Sequence, residues 1–102
     1  STQTYVDLEA LYGAHNYKPL DIVVAEAQGV WVTDVEGRRY LDGLSAYSSL
    51  NQGHRHPRIL AALVEQAGRV TLTSRAFRNT ELPYFEQELC ALSGMDRVLP
   101  MN

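Results

Sequence analysis

The segment between residues 22 and 44 restricts the possible folds of this chain more than any other part of it. Three short runs rich in Val, Ile, Trp and Tyr lie there, at residues 22–25, 30–33 and 39–44. Gly29 and Gly37 fall between these runs. Short β-branched and aromatic runs that glycine turns divide are typical of hairpins. The segment therefore predicts a three-stranded antiparallel meander.

Helices are predicted on both sides of the meander. Thr4 followed by Asp7 has the spacing of an acidic capping box, and it predicts a short helix that Gly13 ends. Pro19 favours an extended segment between this helix and the meander. Pro57 suits the first position of a second helix, because apolar side chains recur at helical spacing over residues 57–70.

A last helix and an apolar run complete the pattern. Asn79 or Thr80 is the expected cap of this helix, and Gly94 is its expected end. Residues 97–102 form a short apolar run that predicts a strand, but the sequence offers it no evident partner. Two helical stripes, a separate meander and an unpaired strand supply too few layers to close one core. We therefore expect the chain to be a piece of a larger protein.

Composition excludes several classes of protein. Apolar residues make up 45% and charged residues 21% of the chain, as in globular proteins and unlike disordered ones. The formal net charge of −3 argues against a nucleic-acid partner, which requires a basic surface. The longest apolar run, residues 59–64, is too short for a membrane span. Neither nucleic acid nor membrane is therefore expected as a partner.

Cysteine usage and the N-terminus bear on location. The single cysteine, Cys90, cannot form an internal disulfide, which fits a reducing cytoplasm. It lies in a predicted helix among apolar and acidic residues, and we expect it to pack without a chemical role. The N-terminus shows no pattern of a signal peptide, and it begins at Ser1 rather than Met, which leaves room for residues upstream.

The loop predicted for residues 45–56 carries several candidates for chemistry, because long loops in small domains are more often functional than ornamental. His54 and His56 would share one face of a strand, but no cysteine or third histidine near them completes a zinc set. We expect these imidazoles to bond to the backbone or cap the next helix, and no metal. No glycine-rich phosphate loop occurs. Nucleophile-elbow context is absent around the loop's serines, Ser45, Ser48 and Ser49.

Tyr17 and Tyr47 are the candidates for binding a small molecule. Each lies in an irregular polar stretch and not on the apolar stripe of a helix or strand. A phenol in such a place can hydrogen-bond to a carboxylate or an amine while its ring lines a pocket. A tyrosine that only closes the edge of a core is the ordinary alternative.

Three motifs follow one another in the first part of the chain. Gly-Ala-His-Asn-Tyr-x-Pro-Leu at residues 13–20 precedes Gly-Val-Trp-Val-x-Asp-Val-Glu-Gly-Arg-x-Tyr-x-Asp at residues 29–42. Asn-Gln-Gly-His-x-His-Pro follows at residues 51–57. Together they resemble the N-terminal region of class III aminotransferases, which are pyridoxal-phosphate enzymes of fold type I. These motifs are shared across that class and do not define a substrate.

Four narrower motifs separate branches of this family. They are Gly-Ala-His-Asn-Tyr at residues 13–17, Ser-x-Tyr-Ser at 45–48, Thr-Leu-Thr-Ser-Arg-Ala-Phe at 71–77 and Val-Leu-Pro-Met-Asn at 98–102. They resemble the ornithine aminotransferases. The resemblance covers residues 12–102, which correspond to the first part only of these longer enzymes.

The resemblance implies a fold and a domain division. The fold is α/β, the N-terminal part of a fold type I transferase, with a short helix, an antiparallel meander and then the first helices of the large domain. Residues 1–56 would form the N-terminal segment with the meander and the substrate-site loops. Residues 57–102 would begin the large pyridoxal-phosphate-binding domain.

The resemblance also implies a reaction and residue roles. Such an enzyme uses pyridoxal phosphate to move the δ-amino group of ornithine to 2-oxoglutarate, giving glutamate 5-semialdehyde and glutamate, in proline biosynthesis and arginine metabolism. Tyr17 would contact the α-amino and carboxylate end of ornithine, and Tyr47 would line the site beside it. The cofactor-binding lysine lies outside the matched motifs, and Lys18, the only lysine, does not correspond to it. No catalytic, cofactor-binding or metal residue is therefore assigned, and the 102 residues alone are not expected to be active.

Assembly and two alternatives complete these expectations. The resemblance implies a cytoplasmic homodimer or higher homo-oligomer of the complete chain, with residues 71–77 packed between subunits. One alternative is another class III enzyme, acting on acetylornithine or 4-aminobutyrate. The other is a non-catalytic remnant of an interrupted gene.

Overall fold

A computed structural model of the chain describes residues 1–101, and Asn102 lies outside the described residues. The elements follow the order helix, three strands and three helices: α1 Thr2–Tyr12, β1 Val24–Gln28, β2 Trp31–Asp34, β3 Arg39–Leu41, α2 Ser45–Ser48, α3 Pro57–Ala67 and α4 Leu82–Ser93. The chain divides into two compact units. The first is Ser1–Leu63, and the second begins at Val64, within α3.

Helix α1 begins earlier than the sequence predicts. Its cap is Ser1, whose side chain accepts a hydrogen bond from the Thr4 amide at 3.4 Å, so the prediction of Thr4 as the cap is wrong. The helix ends at Gly13 as predicted, where the Gly13 amide donates to the Glu9 carbonyl at 2.8 Å. The Thr2 amide donates to Glu36 Oε1 at 2.7 Å, which fastens the start of α1 to the turn after β2.

The predicted antiparallel meander is confirmed, in the order β1-β2-β3. Strand β1 lies further along the chain than predicted, because Gln28 still pairs with Trp31 and leaves a loop of only Gly29 and Val30. Gly29 adopts a φ of +58°, which suits glycine in a two-residue hairpin loop. Strand β3 ends at Leu41 and not at residue 44, because a separate turn begins at the next residue.

The two long helices begin and end close to the predicted positions. Helix α3 begins at Pro57 as predicted and ends at Ala67, before the predicted end at residue 70. Before α4, Asn79 Oδ1 accepts hydrogen bonds from the amides of Glu81 and Leu82 at 3.1 and 2.9 Å. The N-cap position of α4 is Glu81, which makes no side-chain capping bond, so the prediction of Asn79 or Thr80 as the cap is wrong. Gly94, with a φ of +73°, ends α4 as predicted.

The strand predicted at residues 97–102 is absent from the part of the run that the structure describes, residues 97–101. A strand requires a neighbour to complete its ladder of hydrogen bonds, and the described residues of the second unit contain no strand. The rest of that prediction falls on Asn102, outside the described residues.

Burial confirms that the described layers close no apolar core. Among residues 1–101, no apolar side chain is buried, and Asp34 is the one buried polar residue, with 4% exposure. Large apolar side chains in both units remain open to solvent, Leu11, Leu72 and Leu92 among them. None of the described helices is both long and apolar enough to cross a membrane.

Candidate functional site

Tyr17 lies in the irregular segment between α1 and β1. The His15 ring donates from Nε2 to the Ala10 carbonyl at 2.7 Å, which fixes the start of this segment on the last turn of α1. The Asn16 amide donates to the Ala14 carbonyl at 2.8 Å and tightens the chain just before Tyr17. The segment and α1 line an open cleft of about 910 Å³ that includes the Tyr17 side chain.

Tyr47 lies in the short turn α2, whose backbone is left-handed. The φ angles of Ser45, Ala46, Tyr47 and Ser48 are +51°, +49°, +56° and +68°. For residues other than glycine this conformation costs about 1–2 kcal/mol each. Such strain persists only where the surroundings fix the backbone, and it is concentrated at functional sites. The position of Tyr47 therefore depends on the anchors of this turn.

Asp42 is the main anchor of α2. Its Oδ1 atom accepts hydrogen bonds from the amides of Leu44 and Ser45 at 3.1 and 2.8 Å. Its Oδ2 atom lies 2.6 Å from Nε2 of His54. The side chains of Asp42 and His54 are only 16% and 21% exposed. The Ser45 amide and then the His54 ring hold the pKa of Asp42 below its ordinary value of 3.8, so the carboxylate is charged at neutral pH.

The two candidate tyrosines meet although 30 positions separate them in the chain. Their hydroxyl oxygens lie 3.3 Å apart, longer than the usual 2.7–2.8 Å of such hydrogen bonds. Both rings are largely exposed, Tyr17 at 72% and Tyr47 at 77%. The hydrogen bond with Tyr17, and then the electrostatic interaction with that side chain, raise the pKa of Tyr47 above its ordinary value of 10.0. Because both side chains are exposed, their hydroxyls are available to hydrogen-bond to a polar ligand.

Of the two histidines in the loop, His56 has the predicted role and His54 has a role that was not predicted. His56 accepts a hydrogen bond from the Arg58 amide on Nδ1 at 3.3 Å, at the start of α3 as expected. The expectation that the ring of His54 bonds to the backbone or caps the helix is wrong, because this ring faces the carboxylate of Asp42. Within residues 1–101, no three side chains of His, Cys, Asp or Glu form a group that could hold a metal ion.

Sequence reasoning missed Asp42 as a residue of the site. Its signal was local, since Asp followed by Gly at the end of a strand favours a turn in which the carboxylate bonds to later amides. The pairing with His54 had no local signal, because it depends on how the loop folds back. The serines of the loop serve the turn itself: Ser45 donates to the Asp42 carbonyl at 3.2 Å and Ser49 to the Ala46 carbonyl at 2.6 Å.

The described residues do not fit the requirements of pyridoxal phosphate. This cofactor needs a lysine amine and donors for a phosphate group. Lys18 is exposed in the segment between α1 and β1. No phosphate-binding glycine motif lies among residues 1–101. The described residues therefore offer the cofactor no glycine-rich phosphate loop, and Lys18 is the only lysine among them.

The first unit thus contains a capped helix, an antiparallel meander and a strained loop anchored by a histidine, in this order. Residues 12–102 match the family described as Aminotransferase class-III, and the chain belongs to this family. Several of its relatives carry the narrower name ornithine aminotransferase. The ornithine aminotransferase of Brevibacillus brevis is 57% identical over 101 residues, a match that covers 99% of this chain and 25% of that protein.

Solved structures show the same fold over the whole chain. The ornithine δ-aminotransferase of Plasmodium falciparum has a TM-score of 0.96 and 52% identity, over 100% of this chain and 26% of its own. The acetylornithine aminotransferase of Elizabethkingia anophelis has a TM-score of 0.94 and 54% identity, over 99% and 26%. The ornithine aminotransferase of Toxoplasma gondii, with a TM-score of 0.93, 40% identity and coverage of 100% and 24%, holds pyridoxal phosphate at partial occupancy.

These matches define the fold class. The chain has the fold of the N-terminal part of pyridoxal-phosphate-dependent aminotransferases, as the sequence resemblance predicted. It spans about a quarter of the length of the relatives that it matches.

Proposed function

We propose that this chain is the N-terminal quarter of an ornithine aminotransferase. The complete enzyme moves the δ-amino group of ornithine to 2-oxoglutarate and yields glutamate 5-semialdehyde and glutamate. The observation that carries the proposal is the pair of facing hydroxyls of Tyr17 and Tyr47, 3.3 Å apart. The ornithine aminotransferases among the relatives support it.

The tyrosine pair addresses the chemical difficulty of this substrate. Ornithine has two amino groups, and the enzyme must present the δ-amine for transfer while it binds the α-amino and carboxylate end elsewhere. Neutral phenols can accept from the α-ammonium and donate to the carboxylate. Hydrogen bonds to that end convert binding energy into a choice between the two amines.

Pyridoxal phosphate, when bound to the complete enzyme, carries the amino group between the two substrates. We assign its lysine and phosphate donors to the part of the relatives' length that this chain does not span. In this proposal residues 1–56 form the N-terminal segment, and residues 57–102 begin the large cofactor-binding domain. The tyrosines then hold the substrate and do not contact the cofactor's phosphate.

Assembly and location belong to the same proposal. We place the complete enzyme in the cytoplasm as a homodimer or higher homo-oligomer that serves proline biosynthesis and arginine metabolism. Residues 71–77 are the proposed contact between subunits. Leu72 is 85% and Phe77 is 70% exposed there, and apolar surface of this kind favours burial against another chain or segment.

Acetylornithine is the second candidate substrate, because the acetylornithine aminotransferase structure is 54% identical to this chain. Acetylation removes the charge and two of the three N–H donors from the α-amino group. A site in which two phenols recognise an α-ammonium and a carboxylate favours free ornithine. The ratio of catalytic efficiencies for the two compounds separates these candidates.

The test is Tyr17→Phe in the complete enzyme. This change removes one hydroxyl and keeps the ring, so we expect the fold to persist. The loss of a hydrogen bond to a charged substrate end should cost about 1.5–3 kcal/mol of transition-state binding for ornithine. This equals a fall in kcat/KM of roughly tenfold to over a hundredfold. The measurement is kcat/KM for ornithine, acetylornithine, 4-aminobutyrate and glutamate.

Glutamate is the internal reference in this experiment. Glutamate must present its α-amine for transfer, so its α-end cannot occupy the place of ornithine's α-end, and its loss should be smaller. Tyr12→Phe is the matched control, because Tyr12 is 81% exposed at the end of α1. An equal loss for every substrate contradicts a role for Tyr17 in substrate recognition. No loss at all removes the support for an ornithine site.

A further inference from the structure

We propose that Asp42 and His54 are a pair of positioning residues that hold Tyr47 at its distance from Tyr17 in the substrate site. The inference rests on the proposed function, because the pair would influence which amine substrate the complete enzyme selects. Neither residue reaches the tyrosine hydroxyls through a hydrogen bond, so the pair would act through the backbone of α2.

Both ends of the loop that carries Tyr47 are fastened to one point of the sheet. The Asp42 amide donates to the Val30 carbonyl at 2.8 Å. The amide of His54 donates to the Gly29 carbonyl at 2.8 Å, and the Gly29 amide donates back to the His54 carbonyl at 3.0 Å. Gly29 and Val30 are the two residues of the β1–β2 loop. The side chains of Asp42 and His54 therefore meet across the base of a closed loop.

The carboxylate of Asp42 joins this base to the strained turn. Oδ2 faces the His54 ring at 2.6 Å, while Oδ1 accepts from the Leu44 and Ser45 amides, where α2 begins. Because both side chains are sheltered from water, removal of the imidazole donor leaves a carboxylate with an unsatisfied oxygen. That carboxylate is expected to turn toward water and release the two amides.

Backbone strain determines how the turn responds to such a release. Four successive residues of α2 have positive φ angles, and none of them is a glycine, so the turn relaxes when its anchor loosens. Tyr47 lies inside this turn. Tyr17 has an independent anchor, since His15 fastens its segment to Ala10 in α1. Loss of the pair should therefore move one tyrosine relative to the other.

Two amide substitutions of His54 in the complete enzyme test the inference. Gln places its side-chain N–H close to the position of Nε2, so His54→Gln keeps the donor to Asp42. Asn is shorter and places its N–H away from Oδ2, so His54→Asn removes the contact at similar polarity. Each change is made in the parent enzyme and in the Tyr47→Phe variant, which lacks the hydroxyl that the pair is proposed to position.

The expected result is a loss that depends on Tyr47. His54→Asn should lower kcat/KM for ornithine by about tenfold to a hundredfold, as expected for a displaced binding group, and lower that for glutamate much less. His54→Gln should retain most of the ornithine activity. In the Tyr47→Phe background His54→Asn should cost little more, because coupled residues give non-additive losses.

The same measurements distinguish failure of the inference from failure of the proposed function. An equal loss from His54→Asn in both backgrounds overturns the inference, because the pair would then only stabilise the fold. If Tyr47→Phe leaves the ratio of ornithine to glutamate efficiency unchanged, the proposed role of the tyrosines fails instead.

Two further variants keep the test decisive if His54→Asn yields no folded enzyme. Asp42→Asn keeps the Oδ1 acceptor and loses the acceptor that faces His54, so it should show a smaller loss with the same dependence on Tyr47. Asp34→Asn is the matched control, because Asp34 also accepts two backbone amides and one side-chain donor. It should leave the ratio of ornithine to glutamate efficiency unchanged.

Discussion

Two carboxylates organise two turns of this chain with the same set of contacts, and the turns differ in strain. Asp34 accepts on Oδ1 from the amides of Glu36 and Arg38 at 2.9 and 2.8 Å, and on Oδ2 from the Tyr40 hydroxyl at 2.9 Å. Asp42 accepts from two amides on Oδ1 and from the His54 ring on Oδ2. Each carboxylate thus ties two backbone amides to one aromatic side chain.

The difference lies in which residues take the positive φ angles. In the Asp34 turn Gly37 takes it, at +81°, where a glycine bears no penalty. In the Asp42 turn four residues with side chains take it, and Tyr47 is one of them. The Asp34 turn is therefore a relaxed hairpin connection. The Asp42 turn stores strain in order to present a side chain that the proposed function requires.

The largest expected effect on stability comes from a substitution that introduces backbone strain into the relaxed Asp34 turn. Gly37→Ala adds a Cβ that meets nothing within 4 Å, so its cost is conformational alone. We expect the complete protein to lose about 1–2 kcal/mol of unfolding free energy, with no change in the ratio of ornithine to glutamate efficiency. Denaturant titration of the variant and the parent measures the difference.

Gly43→Ala is the control for Gly37→Ala. An added Cβ at Gly43 also meets nothing within 4 Å, but its φ lies outside the positive range. Alanine at a compatible position stabilises by about 0.4–1 kcal/mol, because it restricts the unfolded chain. Equal changes in unfolding free energy for Gly37→Ala and Gly43→Ala would contradict the prediction, because they would show that the positive φ of Gly37 does not require a glycine.

The reverse change in the strained turn should act with the opposite sign on stability. Ala46 has φ and ψ of +49° and +52°, and Ala46→Gly relieves its strain while it adds freedom to the unfolded chain. The net gain should be about 0.5–1 kcal/mol. We expect kcat/KM for ornithine to fall at the same time, because the turn holds Tyr47 less firmly. Thermal denaturation and steady-state kinetics are measured on one preparation.

A helical alanine provides the reference for Ala46→Gly. Ala61 is exposed in α3, where the same substitution should destabilise by about 0.5–1 kcal/mol. If Ala46→Gly destabilises like Ala61→Gly, the left-handed turn carries no strain of its own. A gain in stability with unchanged ornithine kinetics would separate the strain from the positioning of Tyr47.

The relaxed Asp34 turn could be predicted from the sequence, and the strained Asp42 turn could not. Gly29 and Gly37 mark the meander because only glycine adopts their φ angles without cost, so the residue type itself reports the backbone. Ser45, Ala46 and Tyr47 give no such signal, since their identity favours other conformations. Their left-handed backbone results from contacts with Asp42 and the folded loop, which local patterns do not contain.

The two candidate tyrosines could be chosen from the sequence, but the contact between them could not be predicted. Tyr17 and Tyr47 stood out because both lie in polar, irregular stretches, and the structure places their hydroxyls 3.3 Å apart. The pairing of His54 with Asp42 joins residues 12 positions apart through a bridge to the β1–β2 loop. Over residues 97–101, the described part of the predicted strand, the prediction failed for a related reason, because a strand depends on a partner that a linear pattern cannot supply.

The smallest expected effect is the response of the two carboxylates to acid. Burial raises the pKa of Asp34, but hydrogen bonds from the Arg38 amide and the Tyr40 hydroxyl outweigh this, and its pKa lies below 3.8. The pKa of Asp42 is also lowered, by the Ser45 amide and then by the His54 ring. Both carboxylates therefore stabilise the fold fully above pH 3.8, and this contribution is lost as the pH falls through the lowered folded-state values.

Asp34→Asn and Asp42→Asn remove this acid dependence, each at one turn. The difference in melting temperature between the parent and either variant should be constant near neutral pH and should narrow below pH 3.8. Comparison at each pH cancels the titration of groups that neither carboxylate contacts. His54→Gln removes an ionisable partner from Asp42 and none from Asp34, so it should raise the folded-state pKa of Asp42 alone. In the His54→Gln background, the difference in melting temperature caused by Asp42→Asn should therefore begin to narrow at a higher pH, and the difference caused by Asp34→Asn should not change. A shift of both transitions would mean that His54 acts on the whole meander, and the two turns would then not be independent.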